Sequence, residues 1–224
     1  MTDNFEEKNL REELLYTARK LVELNLNRGT SGNLSVRYGN GFLVTPSGVT
    51  VDVMSPEMMV LLDRDGNTQS DIKPTSEWHI HKTILNNRSD VNAVIHTHSM
   101  FATTLACLHM EVPPFHYMIA VTGSDTISCT PYALFGSKEL SDNVLKTIGN
   151  GKACLLANHG MVALGRDLKD ALAVTQEVEN LCEQYWRILQ IDKPKILSSG
   201  QMKDVFERFK TYGQWNKPLE TKKG

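Results

Sequence analysis

The chain has 224 residues, of which 41% are hydrophobic and 22% are charged, and its formal net charge is -2 at pH 7. This composition is typical of a globular protein, and the near balance of charge gives no reason to expect nucleic acid or an anionic membrane as a partner. Residues 1–7 are polar and acidic, unlike a signal peptide, and no stretch approaches the run of about 18 apolar residues that a spanning helix needs. We therefore expect a cytoplasmic protein.

Helix and strand patterns alternate along the chain. Apolar residues at helical spacing predict an amphipathic helix over 6–27, and Gly and Asn at 39–41, between two β-rich segments, predict a hairpin. Hairpins and helices in this order indicate one domain over 1–224, an α/β sandwich with a mainly antiparallel sheet. The other predicted elements are the hairpin strands 33–38 and 42–45, a strand at 59–63, a helix from 75 or 76 to 85, a strand at 91–95, a helix at 101–108, a loop at 112–117, a helix at 137–148, a strand at 153–157 and helices at 168–189 and 199–210.

Two further expectations concern side chains outside any motif. The four cysteines lack the Cys-x-x-Cys spacing of thiolate zinc sites, so we interpret them as buried free thiols in a reducing compartment. We expect Arg37, like Arg19 and Arg28, to be a solvated surface charge. The cysteines are Cys107, Cys129, Cys154 and Cys182.

Three histidines and one carboxylate lie at the ends of predicted elements. His96 and His98 end an apolar strand, and positions i and i+2 of a strand point to the same face, so both can bind one ion. Alone, such a pair is more typical of solvated or core-edge histidines than of a metal site. Glu77 at the start of a helix and His159 after a second apolar strand make a divalent-metal site the better interpretation.

This donor set favours a particular metal and role. Three imidazole nitrogens and one carboxylate oxygen suit Zn²⁺, and a site without thiolates is more typical of catalytic than of structural zinc. Nickel, manganese and iron use the same donors. His81 lies four residues after Glu77 and shares its helix face. We interpret His81 as a residue that supports the site rather than as a ligand.

Three segments rich in glycine, hydroxyl and amide groups form a second candidate site. Glycine lets the backbone approach a ligand closely, and hydroxyls donate hydrogen bonds, so together these segments can bind a phosphate. Each alone is also explained locally, with Gly32 in a turn and Ser76 as a helix N-cap. The segments are 29–33, 45–48 and 75–76.

Six motifs in a fixed order make the chain similar to class II aldolases of the L-fuculose-1-phosphate aldolase type, over roughly residues 8–213. The family also includes L-ribulose-5-phosphate 4-epimerases, methylthioribulose-1-phosphate dehydratases and non-catalytic adducin-like head domains. The motifs are Gly29-Thr30-Ser31-Gly32-Asn33-Leu34-Ser35, Thr45-Pro46-Ser47-Gly48, Thr75-Ser76-Glu77, His96-Thr97-His98, His116-Tyr117-Met118-Ile119-Ala120 and Asn158-His159-Gly160.

The resemblance implies a three-layer sandwich, in which helices flank the central sheet, and a homotetramer with active sites between subunits. It implies a reversible cleavage of L-fuculose 1-phosphate, or a similar ketose 1-phosphate, to dihydroxyacetone phosphate and an aldehyde such as L-lactaldehyde, through a zinc-stabilised enediolate. The residues that it implies are Glu77, His96, His98 and His159 as ligands of one Zn²⁺ per subunit, and Gly32, Asn33, Ser47, Gly48, Thr75 and Ser76 as the phosphate site.

The resemblance also implies the proton-transfer groups. Glu77 acts as the base, Tyr117 reaches in from a neighbouring subunit as the acid, and Tyr212 lies in a C-terminal segment of the site. Epimerase relatives usually carry Asp at the Glu77 position, which favours an aldolase. Alternatives within the family are enzymes acting on 5-deoxyribulose or methylthioribulose 1-phosphate, a dehydratase or a ribulose-phosphate 4-epimerase. A non-catalytic adducin-like module is disfavoured, because all four ligands and Tyr117 are present.

Overall fold

The computed structural model of the protein describes residues 2–210, in which helices and strands alternate. Its helices are α1 (Thr2–Glu23), α2 (Trp78–Asn87), α3 (Met100–Cys107), α4 (Lys138–Ile148), α5 (Leu168–Leu189) and α6 (Ser199–Phe209). Its strands are β1 (Asn33–Tyr38), β2 (Gly41–Val44), β3 (Val60–Leu62), β4 (Ala93–Thr97), β5 (Cys129–Thr130), β6 (Ala153–Leu156) and β7 (Gly160–Gly165). Two short 3₁₀ helices span Pro56–Met58 and Tyr117–Thr122.

The strands form one sheet in the order β3-β2-β1-β4-β7-β6-β5. Every neighbouring pair is antiparallel except β5 with β6. Strand β4 lies in the middle, between β1 and β7, so that His96 stands opposite Asn33 on one side and Val162 on the other. The predicted α/β fold with a mainly antiparallel sheet is confirmed.

Helices cover both faces of this sheet, because apolar side chains of the strands alternate between two cores. On one face, Val94 packs in a cluster with Ile84 of α2 and Val144 of α4. On the other face, Ile95 packs in a cluster with Leu14 of α1, and α3 and α5 complete the layer. All five side chains are fully buried, and each such burial contributes about 1.5–3 kcal/mol of transfer free energy. The expected three-layer sandwich is therefore confirmed.

Strand β7 is the main element that the sequence pattern does not predict. It is hydrogen-bonded to β4 and β6, and all six of its residues are buried. A strand buried on both faces has no alternation of polar and apolar residues, so its apolar run carries no distinctive period. The short strand β5 and the two 3₁₀ helices are also absent from the predicted elements.

The first and second helices differ from their predicted bounds. Helix α1 ends at Glu23 instead of continuing to residue 27. Asn25 has a positive φ of 57°, which is incompatible with a right-handed helix. Helix α2 begins at Trp78, and its N-cap position is Glu77. The local explanation of Ser76 as an N-cap is therefore wrong, which leaves its hydroxyl without that role.

The prediction that all four cysteines are buried is wrong for two of them. Cys107, the last residue of α3, is exposed, and Cys129 on the edge strand β5 is partly exposed. Cys154 and Cys182 lie in the two cores, where burial raises the pKa of both thiols far above its ordinary value. These two thiols are therefore neutral and unreactive packing groups.

Arg37 is a structural residue, contrary to the prediction of a solvated charge. Its guanidinium donates hydrogen bonds to the backbone carbonyls of Leu85, Arg88 and Val91, at 2.7, 3.1 and 2.9 Å. The side chain thereby satisfies carbonyl groups at and after the C-terminal end of α2, which have no helical partner of their own. Arg37 thus ties β1 to the segment that leads into β4.

Within residues 2–210 no helix has both the length and the apolar character needed to cross a membrane. The seven strands share one sheet, and the helices named above pack on it or on one another. One domain over the whole of 1–224 stays a prediction, because residues 211–224 lie outside the described part of the chain.

Candidate active site

Four side chains with metal-ligand chemistry meet at one end of the β4–β7 pair. His96 lies on β4 and His98 directly after it, Glu77 precedes α2, and His159 lies in the tight turn between β6 and β7. Their four ligand atoms all lie within 4.8 Å of one another. The antiparallel pairing of Thr97 with Met161 brings the turn beside the end of β4, which explains how residues so distant in sequence converge.

The distances within this cluster leave no room for a hydrogen on every nitrogen. His96 Nε2 lies 3.0 Å from His98 Nε2 and 3.0 Å from Glu77 Oε2, and His159 Nε2 lies 3.2 Å from Glu77 Oε1. His96 Nδ1 lies 2.9 Å from the carbonyl oxygen of Met161, which only accepts, so Nδ1 carries the hydrogen and, in the neutral ring, the Nε2 lone pair faces the cluster.

One buried oxygen of the cluster has no hydrogen-bond partner. Glu77 is 6% exposed, and its Oε1 makes no hydrogen bond despite its burial. An orphaned carboxylate oxygen is costly unless something else compensates it. A divalent cation between the four donors would compensate Oε1 and the facing imidazole lone pairs together, so the residues present fit such an ion.

Three of the four donors have the protonation state that a cation needs. Burial and the charge of His96 lower the pKa of His98 and of His159 to about 4 each, so both rings are neutral near pH 7. His96 differs, because Glu77 outweighs burial and raises the pKa of its buried ring, and a bound cation would take the place of that proton. Burial opposes ionisation of Glu77, but His96, His159 and the amide of Asn33 outweigh it and hold the pKa of the carboxyl well below its ordinary range. Metal binding requires neutral imidazoles and an ionised carboxylate.

His81 is outside the group of four donors, as predicted, and lies next to it. The ring is fully buried, with Nε2 2.5 Å from Asn33 Oδ1 and Nδ1 2.7 Å from Ser35 Oγ. Burial lowers the pKa of His81 to about 3, so the ring is neutral. The Asn33 amide in turn donates to Glu77 Oε2 at 3.0 Å.

A cavity of about 330 Å³ adjoins the cluster. All six residues of the predicted phosphate site line it, together with the ligand candidates Glu77, His98 and His159. Gly32 and Gly48 have φ of 78° and 70°, a conformation that favours glycine. The six residues are Gly32, Asn33, Ser47, Gly48, Thr75 and Ser76.

A profile described as "Class II Aldolase and Adducin N-terminal domain" matches residues 12–186. The chain belongs to the class II aldolase family. A Rhodospirillum rubrum protein named 5-methylthioribulose-1-phosphate/5-deoxyribulose-1-phosphate aldolase is 50% identical over 204 residues, covering 91% of this chain and 92% of that one. L-fuculose phosphate aldolase of Escherichia coli strain K12 is 39% identical over 209 residues, covering 93% and 97%. A solved L-fuculose 1-phosphate aldolase has a TM-score of 0.87 at 36% identity, covering 90% and 96%.

The family assignment agrees with the chemistry of the cluster. Class II aldolases are metal-dependent enzymes, and the described part of this one contains a group of donors that can hold a metal ion. A donor set of three imidazoles and one carboxylate without cysteine is the pattern of catalytic rather than structural metal sites. This class II aldolase is therefore an enzyme whose cavity joins a metal-ligand cluster to a polar pocket.

Three residues of the cavity wall, Tyr132, Ala133 and Phe135, are absent from the sequence prediction. Tyr132 and Phe135 line the cavity with Ala133, although both aromatic rings are about 60% exposed, at 59% and 63%. Asn158 also lines it and has a positive φ of 56°, where its side chain accepts from His109 Nε2 at 2.6 Å. The apolar wall has no motif.

The two predicted catalytic tyrosines are placed differently from the other site residues. Tyr117 begins the 3₁₀ helix Tyr117–Thr122, is 46% exposed and does not line the cavity of its own chain. Its ring lies near those of His116 and Phe209. Tyr212 lies outside the described residues. The structure thus brings ten predicted ligand and phosphate residues to one place and leaves Tyr117 on a separate surface.

Proposed function

We propose that this class II aldolase cleaves a ketose 1-phosphate reversibly to dihydroxyacetone phosphate and an aldehyde. The observation that carries the proposal is that the four-donor cluster and the six-residue polar pocket open into one cavity. A 1-phosphate and a reacting carbon chain are joined in one small molecule, so its enzyme needs both sites within a few ångströms. The names of the relatives support the same substrate class.

We assign one Zn²⁺ per subunit to Glu77, His96, His98 and His159. When bound, this ion supplies a Lewis acid that stabilises negative charge on the substrate oxygens beside the bond that breaks. Manganese, iron and nickel accept the same donors, so metal analysis of the purified protein decides among them. The geometry of the three rings and the orphaned Oε1 supports the assignment.

The polar pocket is proposed to bind the phosphate. Ser47, Thr75 and Ser76 offer hydroxyls, and the backbone at Gly32 and Gly48 offers N–H groups without a side chain in the way. Asn33 contributes less than predicted, because its carbonyl oxygen is occupied by His81 and one amide hydrogen by Glu77. The second amide hydrogen remains for the substrate.

Proton transfer is proposed to use Glu77 and a tyrosine from another subunit. In the condensation direction, the Glu77 carboxylate leaves its ligand position when the substrate arrives and removes the C3 proton of dihydroxyacetone phosphate. Tyr117 is exposed and away from its own cavity, as a group that serves the site of a neighbouring copy would be. We therefore retain the homotetramer with shared sites, with Tyr212 as a second contributor.

The far end of the substrate is proposed to be apolar. Tyr132, Ala133 and Phe135 form a wall of the cavity with no charged group among them. Such a wall suits the methyl end of L-fuculose 1-phosphate or 5-deoxyribulose 1-phosphate and the methylthio end of 5-methylthioribulose 1-phosphate. The last two appear in the name of the Rhodospirillum rubrum relative, so we place them first.

The test is a panel of ketose 1-phosphates assayed for release of dihydroxyacetone phosphate by a coupled dehydrogenase. We expect cleavage of at least one of the three sugars named above. An unphosphorylated ketose would yield dihydroxyacetone without a phosphate, so its cleavage is followed by release of the aldehyde, and we expect that activity to be much lower. Losing two charge-assisted hydrogen bonds costs about 3 kcal/mol or more, which lowers kcat/KM by about 150-fold. No dihydroxyacetone phosphate from any sugar, by a protein that binds zinc, would reject the proposal.

A further inference from the structure

A buried chain of hydrogen bonds runs from β1 through α2 to the metal-ligand cluster. Ser35 Oγ lies 2.7 Å from His81 Nδ1, His81 Nε2 lies 2.5 Å from Asn33 Oδ1, and Asn33 Nδ2 lies 3.0 Å from Glu77 Oε2. Ser35 and His81 are fully buried, and Asn33 is 4% exposed. Of the residues in this series of hydrogen bonds, Ser35, His81 and Asn33 lie outside the four-donor cluster.

The chemistry of the partners fixes the direction of every hydrogen bond in this chain. The carboxylate of Glu77 only accepts, so the nitrogen of the Asn33 amide must face it and the oxygen must face His81. His81 Nε2 therefore carries the hydrogen. In the neutral ring Nδ1 then accepts, and the Ser35 hydroxyl donates to it. All three bonds point from Ser35 toward Glu77, without an alternative arrangement that satisfies each atom.

Besides the contacts that His96 and His159 make with its two oxygens, few groups hold the Glu77 side chain. It occupies the N-cap position of α2 but its side chain makes no capping hydrogen bond. Its Oε1 makes none at all, and a free glutamate side chain loses up to about 2 kcal/mol of rotamer entropy when it is fixed. From outside the four-residue cluster, the Asn33 amide anchors Oε2 by donating a hydrogen bond to it.

We propose that His81 is a positioning residue for Glu77, acting through Asn33 and without contact with substrate. By fixing the orientation of the Asn33 amide, His81 keeps Oε2 anchored and directs the free Oε1 at the centre of the cluster. This inference rests on the proposed metal-ligand role of Glu77. The Ser35 hydroxyl fixes the tautomer of the His81 ring. In other proteins, residues that hydrogen-bond to metal ligands without contacting the metal orient those ligands in the same way.

The first test measures the zinc affinity of metal-free His81→Leu by competition with a chromophoric chelator. We expect a loss of about 10-fold to 100-fold, the usual effect of removing such an outer group. The matched control is His79→Leu, on the same helix, where the partly exposed ring stacks on Trp78 and faces no ligand. His79→Leu is expected to keep wild-type affinity. Equal affinity of His81→Leu and His79→Leu would overturn the inference.

A double-mutant cycle separates an effect through Asn33 from a general loss of packing. If His81 acts through Asn33, then Asn33→Ala and His81→Leu with Asn33→Ala should bind zinc within about twofold of each other, since the relay is already broken. Additive losses in the double variant would contradict the relay. The absorption spectrum of bound Co²⁺ gives a second readout, and it should change in His81→Leu and not in His79→Leu.

A further pair of variants serves if His81→Leu does not fold. His81→Gln carries an amide nitrogen that reaches the position of Nε2, whereas the shorter side chain of His81→Asn does not reach Asn33. We expect near wild-type zinc affinity for Gln and a loss of tenfold or more for Asn. Equal affinities of the two would overturn the inference, as would a wild-type protein without zinc affinity. Since zinc binding needs no sugar phosphate, failure of the substrate panel leaves this test intact.

Discussion

Gly160 begins β7 directly after His159, and a side chain there would collide with two parts of the site. A Cβ on Gly160 would lie 3.0 Å from Cδ2 of the His98 ring and closer still to the carbonyl oxygen of Thr97. Carbon atoms in contact normally lie about 3.5–4.0 Å apart. Gly160→Ala therefore forces a displacement of about 0.5 Å or more. This displacement affects both His98 and the neighbouring His159. Binding sites tolerate shifts of only about 0.5 Å in their side chains.

The expected cost has two parts. Overpacking lowers the free energy of unfolding by about 1–3 kcal/mol, and displaced imidazoles lower zinc affinity by about tenfold, which corresponds to about 1.4 kcal/mol. The matched control is Gly200→Ala in α6, where the new Cβ would approach only Ser198 Oγ, at 3.9 Å. That change should raise stability by up to about 1 kcal/mol, because alanine favours a helix.

The assay combines urea unfolding of the metal-free proteins with zinc titration against a chelator. Unfolding in the absence of metal isolates the packing cost, and the titration isolates the ligand geometry. A Gly160→Ala protein with wild-type stability and zinc affinity would refute the reasoning, because it would mean that the β4–β7 end can separate without moving either ring.

Three further changes test other parts of the molecule. His159→Ala removes one of the four proposed ligands, so we expect zinc and aldolase activity to be lost together while the metal-free fold persists, as followed by metal analysis and circular dichroism. Glu179→Ala removes the α5 carboxylate that accepts hydrogen bonds from Ser99 Oγ and from two backbone N–H groups of α3, at 2.7, 2.8 and 2.9 Å. The free energy of unfolding measured in urea should fall by about 2–3 kcal/mol. A fall of less than about 0.5 kcal/mol would contradict this. Tyr117→Phe should slow carbon–carbon cleavage but leave C3 proton exchange, which we assign to Glu77, nearly unchanged; equal effects on both assays would reject separate roles.

The convergence of the metal-ligand cluster is predictable because its signals are local. His96 and His98 are two residues apart at the end of a predicted strand. Glu77 lies at the start of a predicted helix and His159 follows a second predicted strand. The four atoms do meet. The supporting position of His81 follows likewise from its four-residue spacing to Glu77. What the pattern does not contain is Ser35 at the far end of the relay, since β1 meets α2 only in the folded protein.

Other features escape the sequence because they depend on burial or on partners. Strand β7 lacks alternation because the sheet is covered on both faces, and Arg37 looks like a surface charge until the carbonyls at the end of α2 are seen beside it. Phe135 resembles a core residue by type, yet it is exposed at the edge of the cavity. Helical and strand periods report burial of an element, but not which surface residues border a cavity.

The wide spacing of the donors along the chain has a kinetic consequence. In the folded chain the pairing of β4 with β1 and β7 brings Glu77, His96 and His159 together. We therefore expect an early folding intermediate to offer an ion no more than one or two of the four donors. A cation that binds only the finished sheet stabilises the native state and not the folding transition state. Free zinc should therefore lengthen the lifetime of the folded chain without changing the rate at which it forms.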